Sequence, residues 1–251
     1  MGALPDLSVQ LYSVREPLAA DFAGTLARLR QIGFTRVEPF GMLDQASSLR
    51  AGLADNGFTA PTTHQSLVDV DLDQVFATAA DLGIGTVIHP FTPREQWTTR
   101  QDVERVADLL STAAQRAAVH GVQVAYHNHD WELRLELDGK SSLEVLLDLA
   151  DPAVVVEVDT YWAAVGGQHV PALLGRLGDR VVALHLKDGP LTGVTADQLP
   201  LGSGDLPAAQ ILAATTALQV PVIEFDQYAG DIFDGVAAAY RYATGTLGFA
   251  R

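Results

Sequence analysis

Residues 103–129 read VERVADLLSTAAQRAAVHGVQVAYHNH. Val103, Val106, Leu110, Ala113 and Ala117 recur at the spacing of one helix face, and the helical run stops before Gly121. A glycine at that place lets the chain turn back through a left-handed C-cap. The apolar run that starts at Val122 follows at once and ends in the polar trio His127, Asn128 and His129. A helix with one buried stripe, a glycine and a buried strand in that order predict a parallel crossover.

The same unit recurs in both directions. Phe22, Leu26, Leu29 and Ile32 mark one further helix, and Leu72, Val75, Phe76 and Ala79 another, while Gly33, Gly57 and Gly83 stand where Gly121 does. Strands are expected at 7–13, 36–40, 59–64, 86–91, 122–129, 154–160, 181–187 and 221–226. Eight such strands in 251 residues match the usual size of one closed barrel, about 250 residues. The predicted fold is therefore α/β, a single (β/α)8 TIM barrel domain over residues 1–251. An open doubly wound sheet would usually carry a glycine-rich phosphate turn after its first strand, where this chain has Gln10-Leu11-Tyr12-Ser13. The longest irregular stretch, 188–207, reads as a loop after the seventh strand.

Bulk properties narrow the function. Acidic residues outnumber Lys and Arg by 31 to 16, a formal charge of −15, which has the wrong sign for gripping a phosphate backbone, so no nucleic-acid partner is expected. No stretch approaches a spanning helix, the N-terminus lacks a secretory pattern, and Gly2 is followed by Asp6 where an acylation signal wants Ser or Thr. The expectation is a cytoplasmic protein with no membrane partner. With no cysteine, any metal must be held by oxygen and imidazole nitrogen.

In a parallel barrel the C-terminal strand ends surround one mouth. Here those ends carry Glu38, His64, His89, the cluster from His127 to Glu132, Glu157 and Asp159, His185 and Lys187, and Glu224 and Asp226. Alternation along a strand ties directions together: if Asp159 faces inward so does Glu157, and the same links His185 to Lys187 and Glu224 to Asp226. Asp159, His185 and Glu224 then converge, and a fourth group from strand five would close a site for Mn2+, Mg2+, Co2+ or Zn2+. Any one of these histidines alone reads more simply as a satisfied core residue, and the acids as an ion-pair network around Lys187. So many carboxylates against a single lysine favour the metal.

These segments together carry a family resemblance: residues 7–14 (LSVQLYSV), 126–132 (YHNHDWE), 157–162 (EVDTYW) with Gly166-Gly167, 185–188 (HLKD), 201–204 (LGSG) and 224–226 (EFD). The chain resembles, over nearly its whole length, the xylose-isomerase-like TIM barrel superfamily and its sugar phosphate isomerase/epimerase family. The resemblance implies one divalent ion held by Glu, Asp, His and Glu from strands five to eight, which assigns Asp159, His185 and Glu224. The first position departs from the pattern, leaving His127, Glu132 or Glu157, of which His127 is taken; Mn2+ is the first choice of metal.

The implied chemistry is isomerisation or epimerisation of a small sugar, keto-sugar or polyol-derived ketone by proton abstraction beside a carbonyl. Glu224 is then ligand and base, Glu132 or His129 the opposing acid, and Lys187 an oxyanion-stabilising group. Glu38, His64 and His89 are expected to bind substrate hydroxyls, and Trp162 to lie against sugar C–H groups. Lys187 is the only lysine at the strand ends, so an unphosphorylated substrate is preferred. A lyase or dehydratase using the same proton abstraction, a barrel endonuclease, and a sugar-binding barrel or partner subunit with a degenerate metal site are the rival functions. A homo-oligomer is left open.

Overall fold

The computed structural model describes residues 4–250; Gly2 lies outside them. All eight expected strands are present: β1 (Ser8–Gln10), β2 (Arg36–Glu38), β3 (Thr62–His64), β4 (Thr86–His89), β5 (Gln123–His127), β6 (Val155–Asp159), β7 (Val181–Leu186) and β8 (Val220–Ile223). Every neighbouring pair in the barrel is parallel, in the order β2, β1, β8, β7, β6, β5, β4, β3. The last seam, β2 against β3, is made by isolated parallel bridges, with Val37 N donating to Thr59 O at 3.0 Å and His64 N to Pro39 O at 2.8 Å. This is a (β/α)8 barrel.

Helix ends follow from local chemistry. Thr99 and Asp102 form a reciprocal capping box that starts the helix Arg100–Val119, and Ser141 with Glu144 does the same for Ser142–Leu149. Gly33, Gly57, Gly83 and Gly121 all take positive φ, as their place between helix and strand requires.

The strands are shorter than the apolar runs suggested, because polar side chains redirect the chain at their ends. Gln10 accepts a hydrogen bond from Tyr12 N at 3.0 Å, so residues 11–14 form a 3-10 turn instead of prolonging β1. Asp159 caps the helix Thr160–Val165 by accepting from Trp162 N at 2.9 Å. A small hairpin, Glu136–Leu137 with Lys140–Ser141, was not anticipated.

Two apolar clusters result. The larger lies between the strands and the surrounding helices; the smaller consists of Ile88, Ala125, Val155, Val182, Ala183, Val220 and Val222, all on barrel strands. Because Ala125, Val155, Ala183 and Val222 face inward, strand alternation also turns His127, Glu157, Asp159, His185 and Glu224 inward, nearer the C-terminal mouth. An apolar plug thus supports a polar layer.

Gly121 has φ +69°, and a Cβ there would meet nothing within 4 Å, so only backbone strain opposes a side chain. Gly121→Ala is expected to lower the unfolding free energy by about 1–2 kcal/mol, read from urea denaturation. An unchanged midpoint would contradict the left-handed cap.

Candidate functional site

Strand register delivers the polar layer. His127 pairs with Glu157, and Asp159 pairs with His185, which in turn pairs with Val222, two residues before Glu224. Atoms of Asp159, His185 and Glu224 accordingly lie within 4.8 Å of one another. His127 Nε2 is 3.7 Å from Asp159 Oδ2, beside that trio. A second group with the same spread, His64, His127, Glu157 and His185, adjoins it.

Glu38 forms the floor. Gln10 Nε2 donates to it at 2.9 Å, the Thr62 hydroxyl donates to its other oxygen, and His185 Nε2 lies 2.7 Å away. His185 spans the layer, with Nδ1 2.9 Å from Glu224 Oε2 and Nε2 3.1 Å from Glu157 Oε2. The Lys187 ammonium is enclosed by Asp159 Oδ2 at 2.8 Å, Glu224 Oε2 at 2.5 Å and Asp226 Oδ2 at 2.7 Å.

Glu38, Glu157, Asp159 and Glu224 are buried and Asp226 nearly so, so five carboxylates face one ammonium. Their protonation reflects that imbalance. Burial pushes Asp159 up to about 6, with Lys187 pulling the other way. Glu38 is also raised, by burial and then by Glu157. Burial would lower His185, but Glu157 and Glu224 overcome it and hold the imidazolium well above its ordinary range. Burial opposes ionisation of Glu224 too, yet Lys187 keeps its carboxyl below the ordinary range. Protons and one lysine thus stand in for missing positive charge.

A divalent ion suits this layer. Glu157 Oε1 is buried without any hydrogen-bond donor, which is costly for a carboxylate oxygen, and Asp159 Oδ2 has only the Lys187 ammonium, which it shares with two further acids. The donors are oxygen and imidazole nitrogen, acceptable to Mn2+ and Mg2+ as well as to Zn2+ and Co2+.

Above the layer opens a cavity of 410 Å³, toward the small end of the usual 300–1,000 Å³ range for ligand sites. Tyr12, Phe40 and Phe91 give it apolar lining, and His64, His127, His129, Glu224 and Asp226 polar lining. No Lys or Arg lines it among the described residues. His129 stacks on Trp131 at 4.5 Å with its Nδ1 unpartnered, and burial, then Lys187, pushes it down to about 4. It is a neutral imidazole at neutral pH.

Several expected site residues lie elsewhere. Glu132 is turned to the outer side of β5, accepting from Tyr126 OH and from His129 N, each at 2.8 Å; it positions His129 and does not reach the cavity. His89 is on the outer side too, because Ile88 before it faces inward; its Nδ1 accepts from Leu67 N at 3.3 Å. Glu38 is sealed beneath His185. Trp162 donates from Nε1 to Asp226 Oδ2 at 3.0 Å instead of facing the cavity, and Lys187 is fully engaged by carboxylates. Tyr12, Phe40 and Phe91 were missed, since nothing in a strand pattern marks an aromatic residue at a rim.

Residues 26–219 match the profile of a family described as xylose isomerase-like TIM barrel. No curated protein matches. Among solved structures, a sugar phosphate isomerase/epimerase from Parabacteroides distasonis superposes with a TM-score of 0.80 at 21% identity, covering 98% of this chain and 96% of that one. The IOLI protein with a binding zinc atom gives 0.74 at 14% identity, over 96% of this chain and 98% of that one. D-psicose 3-epimerase, in the presence of D-fructose, gives 0.71 at 15%, over 97% and 99%. At these identities the likeness is one of fold. No helix among the described residues is long and apolar enough to cross a membrane.

A metal ligand imidazole must be neutral on the bound nitrogen, so Mn2+ binding near pH 7 is expected to release a proton held at His185. Calorimetry in two buffers of different ionisation enthalpy should give different apparent enthalpies; identical ones would contradict this. Glu132 is pushed by burial from 4.5 up to about 8, so the stability it contributes is present below pH 4.5 and is lost as pH rises through about 8. A glutamine can accept from His129 N and donate to Tyr126 Oη. Glu132→Gln should therefore gain stability relative to the native chain across that window, read from thermal melts, and a constant difference would refute the shift.

Proposed function

The chain belongs to the xylose isomerase-like TIM barrel family, and from that premise we propose that it is a divalent-metal-dependent isomerase or epimerase of a small sugar, keto-sugar or polyol-derived ketone. The observation that carries the reading is the imbalance of charge beneath the cavity, five carboxylates against the one ammonium of Lys187. Asp159, His185 and Glu224 would hold the ion, with His127 as the fourth ligand and Mn2+ as the first choice. When bound there, the ion supplies Lewis-acid polarisation of a carbonyl and an adjacent hydroxyl.

The chain's own groups do the rest. Glu224, kept ionised by Lys187 and His185, takes the proton from the carbon beside the carbonyl. His129, neutral and lining the same cavity, exchanges a proton with a substrate oxygen. His64 hydrogen-bonds a substrate hydroxyl at the cavity wall. Tyr12, Phe40 and Phe91 offer apolar faces to C–H groups and limit water around the exposed carbon. Return of the proton to the same carbon is epimerisation; return to its neighbour is isomerisation.

The absence of Lys and Arg from the cavity lining among the described residues supports a substrate without a phosphate group. In this reading the enzyme works in small-molecule carbohydrate metabolism in the cytoplasm, on free sugars and not on nucleic acid.

Asp159→Ala is expected to lose bound Mn2+ and activity together, measured by metal analysis and by product assay. A variant with full metal content would refute the assignment of Asp159. Glu224→Gln at saturating Mn2+ should reduce turnover by about 10²–10⁴-fold, the usual worth of a positioned acid or base, and abolish uptake of solvent deuterium into the sugar. A product lighter by one water would move the chain to the lyases. Faster turnover of sugar phosphates than of free sugars would overturn the substrate class.

A further inference from the structure

Three imidazole nitrogens converge on a single oxygen. His64 Nε2, His127 Nδ1 and His185 Nε2 stand 2.7, 2.9 and 3.1 Å from Glu157 Oε2. Their rings crowd one another, with centroids 4.6 Å apart for His127 and His185 and 5.1 Å apart for His64 and His185. Glu157 Oε2 is hydrogen-bonded to His64 and His127, His185 Nε2 makes its closer contact with Glu38 Oε1 at 2.7 Å, and the buried Glu157 Oε1 has no partner at all. Hydrogen bonding alone leaves this arrangement without a complete account. Three nitrogens and a carboxylate directed at one small volume are what a four-coordinate metal requires.

We propose that His64, His127, Glu157 and His185 form a second cation site, selective for Zn2+ and Co2+, which competes with the acid site of Asp159, His185 and Glu224. The shared rings set the competition. His127 turns Nδ1 to Glu157 and Nε2 toward Asp159, while His185 turns Nε2 to Glu38 and Glu157 and Nδ1 to Glu224. A neutral imidazole has one lone pair, so each ring can ligate in one cage at a time. With an ion in the imidazole cage, the outward N–H groups of His127 and His185 point to Asp159 and Glu224, the carboxylate–histidine–metal arrangement that fixes a tautomer. Lys187 then remains the cation of the acid cage.

Metal type decides between the cages. Imidazole suits Zn2+ and Co2+, whereas carboxylate oxygen suits Mg2+ and Mn2+. His64 and His127 line the cavity, so the imidazole cage is open to entering ions. The competition rests on the acid site of the proposed function; the imidazole cage does not. A borderline metal parked there would hold His185 in the tautomer that the acid site cannot use.

The test titrates the metal-free full-length chain with Co2+, followed by visible absorption, and separately with Mn2+, followed by its electron paramagnetic resonance signal. His64→Ala should weaken Co2+ by more than about 100-fold, beyond what loss of an outer partner costs, and leave Mn2+ affinity within about threefold. Asp159→Asn should keep the wild-type Co2+ spectrum and lose Mn2+. Unchanged Co2+ affinity and spectrum in His64→Ala overturn the proposal. Failure of Mn2+ to bind the native chain would sink the acid site alone. Should His64→Ala not fold, anomalous scattering from Co2+-soaked wild-type crystals decides: a peak among the three imidazoles supports the site, and a peak between Asp159 and Glu224 overturns it.

Discussion

Every buried negative charge at the barrel mouth must be matched by positive charge, and the arrangement of the site follows from how that is done. Glu38, Glu157, Asp159 and Glu224 sit at 0–5% exposure, supported from below by an apolar plug that offers no donors. Breaking one buried ion pair by removing a partner typically costs about 3–5 kcal/mol. The layer is therefore interlocked: His185 answers Glu38, Glu157 and Glu224, while Lys187 answers Asp159, Glu224 and Asp226. A cation in this layer would take the place of protons held by its side chains.

The cavity above is shaped by different forces. Its aromatic side is partly exposed, with Tyr12 at 41% and Phe91 at 47%, and Tyr12 meets Phe40 edge to face at 5.4 Å. Exposed aromatics beside carboxylate and imidazole groups would suit the C–H and O–H groups of the proposed substrate. Glu132, although outside the cavity, fixes the loop after β5 by holding His129 N, and so sets where the His129 ring stacks on Trp131.

The barrel was legible because each helix, glycine and strand repeats a signal that local physics enforces: a stripe, a positive φ, an apolar run. The convergence of Asp159, His185 and Glu224 was legible for the same reason, since a period of two carries facing along a strand. That period also excludes His89, which follows the inward Ile88, so its position was readable from the strand even though its polar character pointed to the mouth. Glu132 was not readable, because it lies in the short helix Trp131–Arg134 beyond the strand end, where the alternation no longer applies. Glu38 shows a different limit: it faces inward, but Gln10, Thr62 and His185 close over it, a depth that no single strand reports. Lys187 was identified by its charge, while its enclosure by three acids from the two neighbouring strand ends depended on tertiary register.

The most direct measurement is the metal content of the wild-type chain after growth and purification with supplemented Mn2+, followed by removal of free ion. Close to one tightly held divalent ion per chain is the expected result. A chain that stays metal-free at full structural integrity, with Lys187 and protonated His185 as its only compensation, would contradict a cation-centred site.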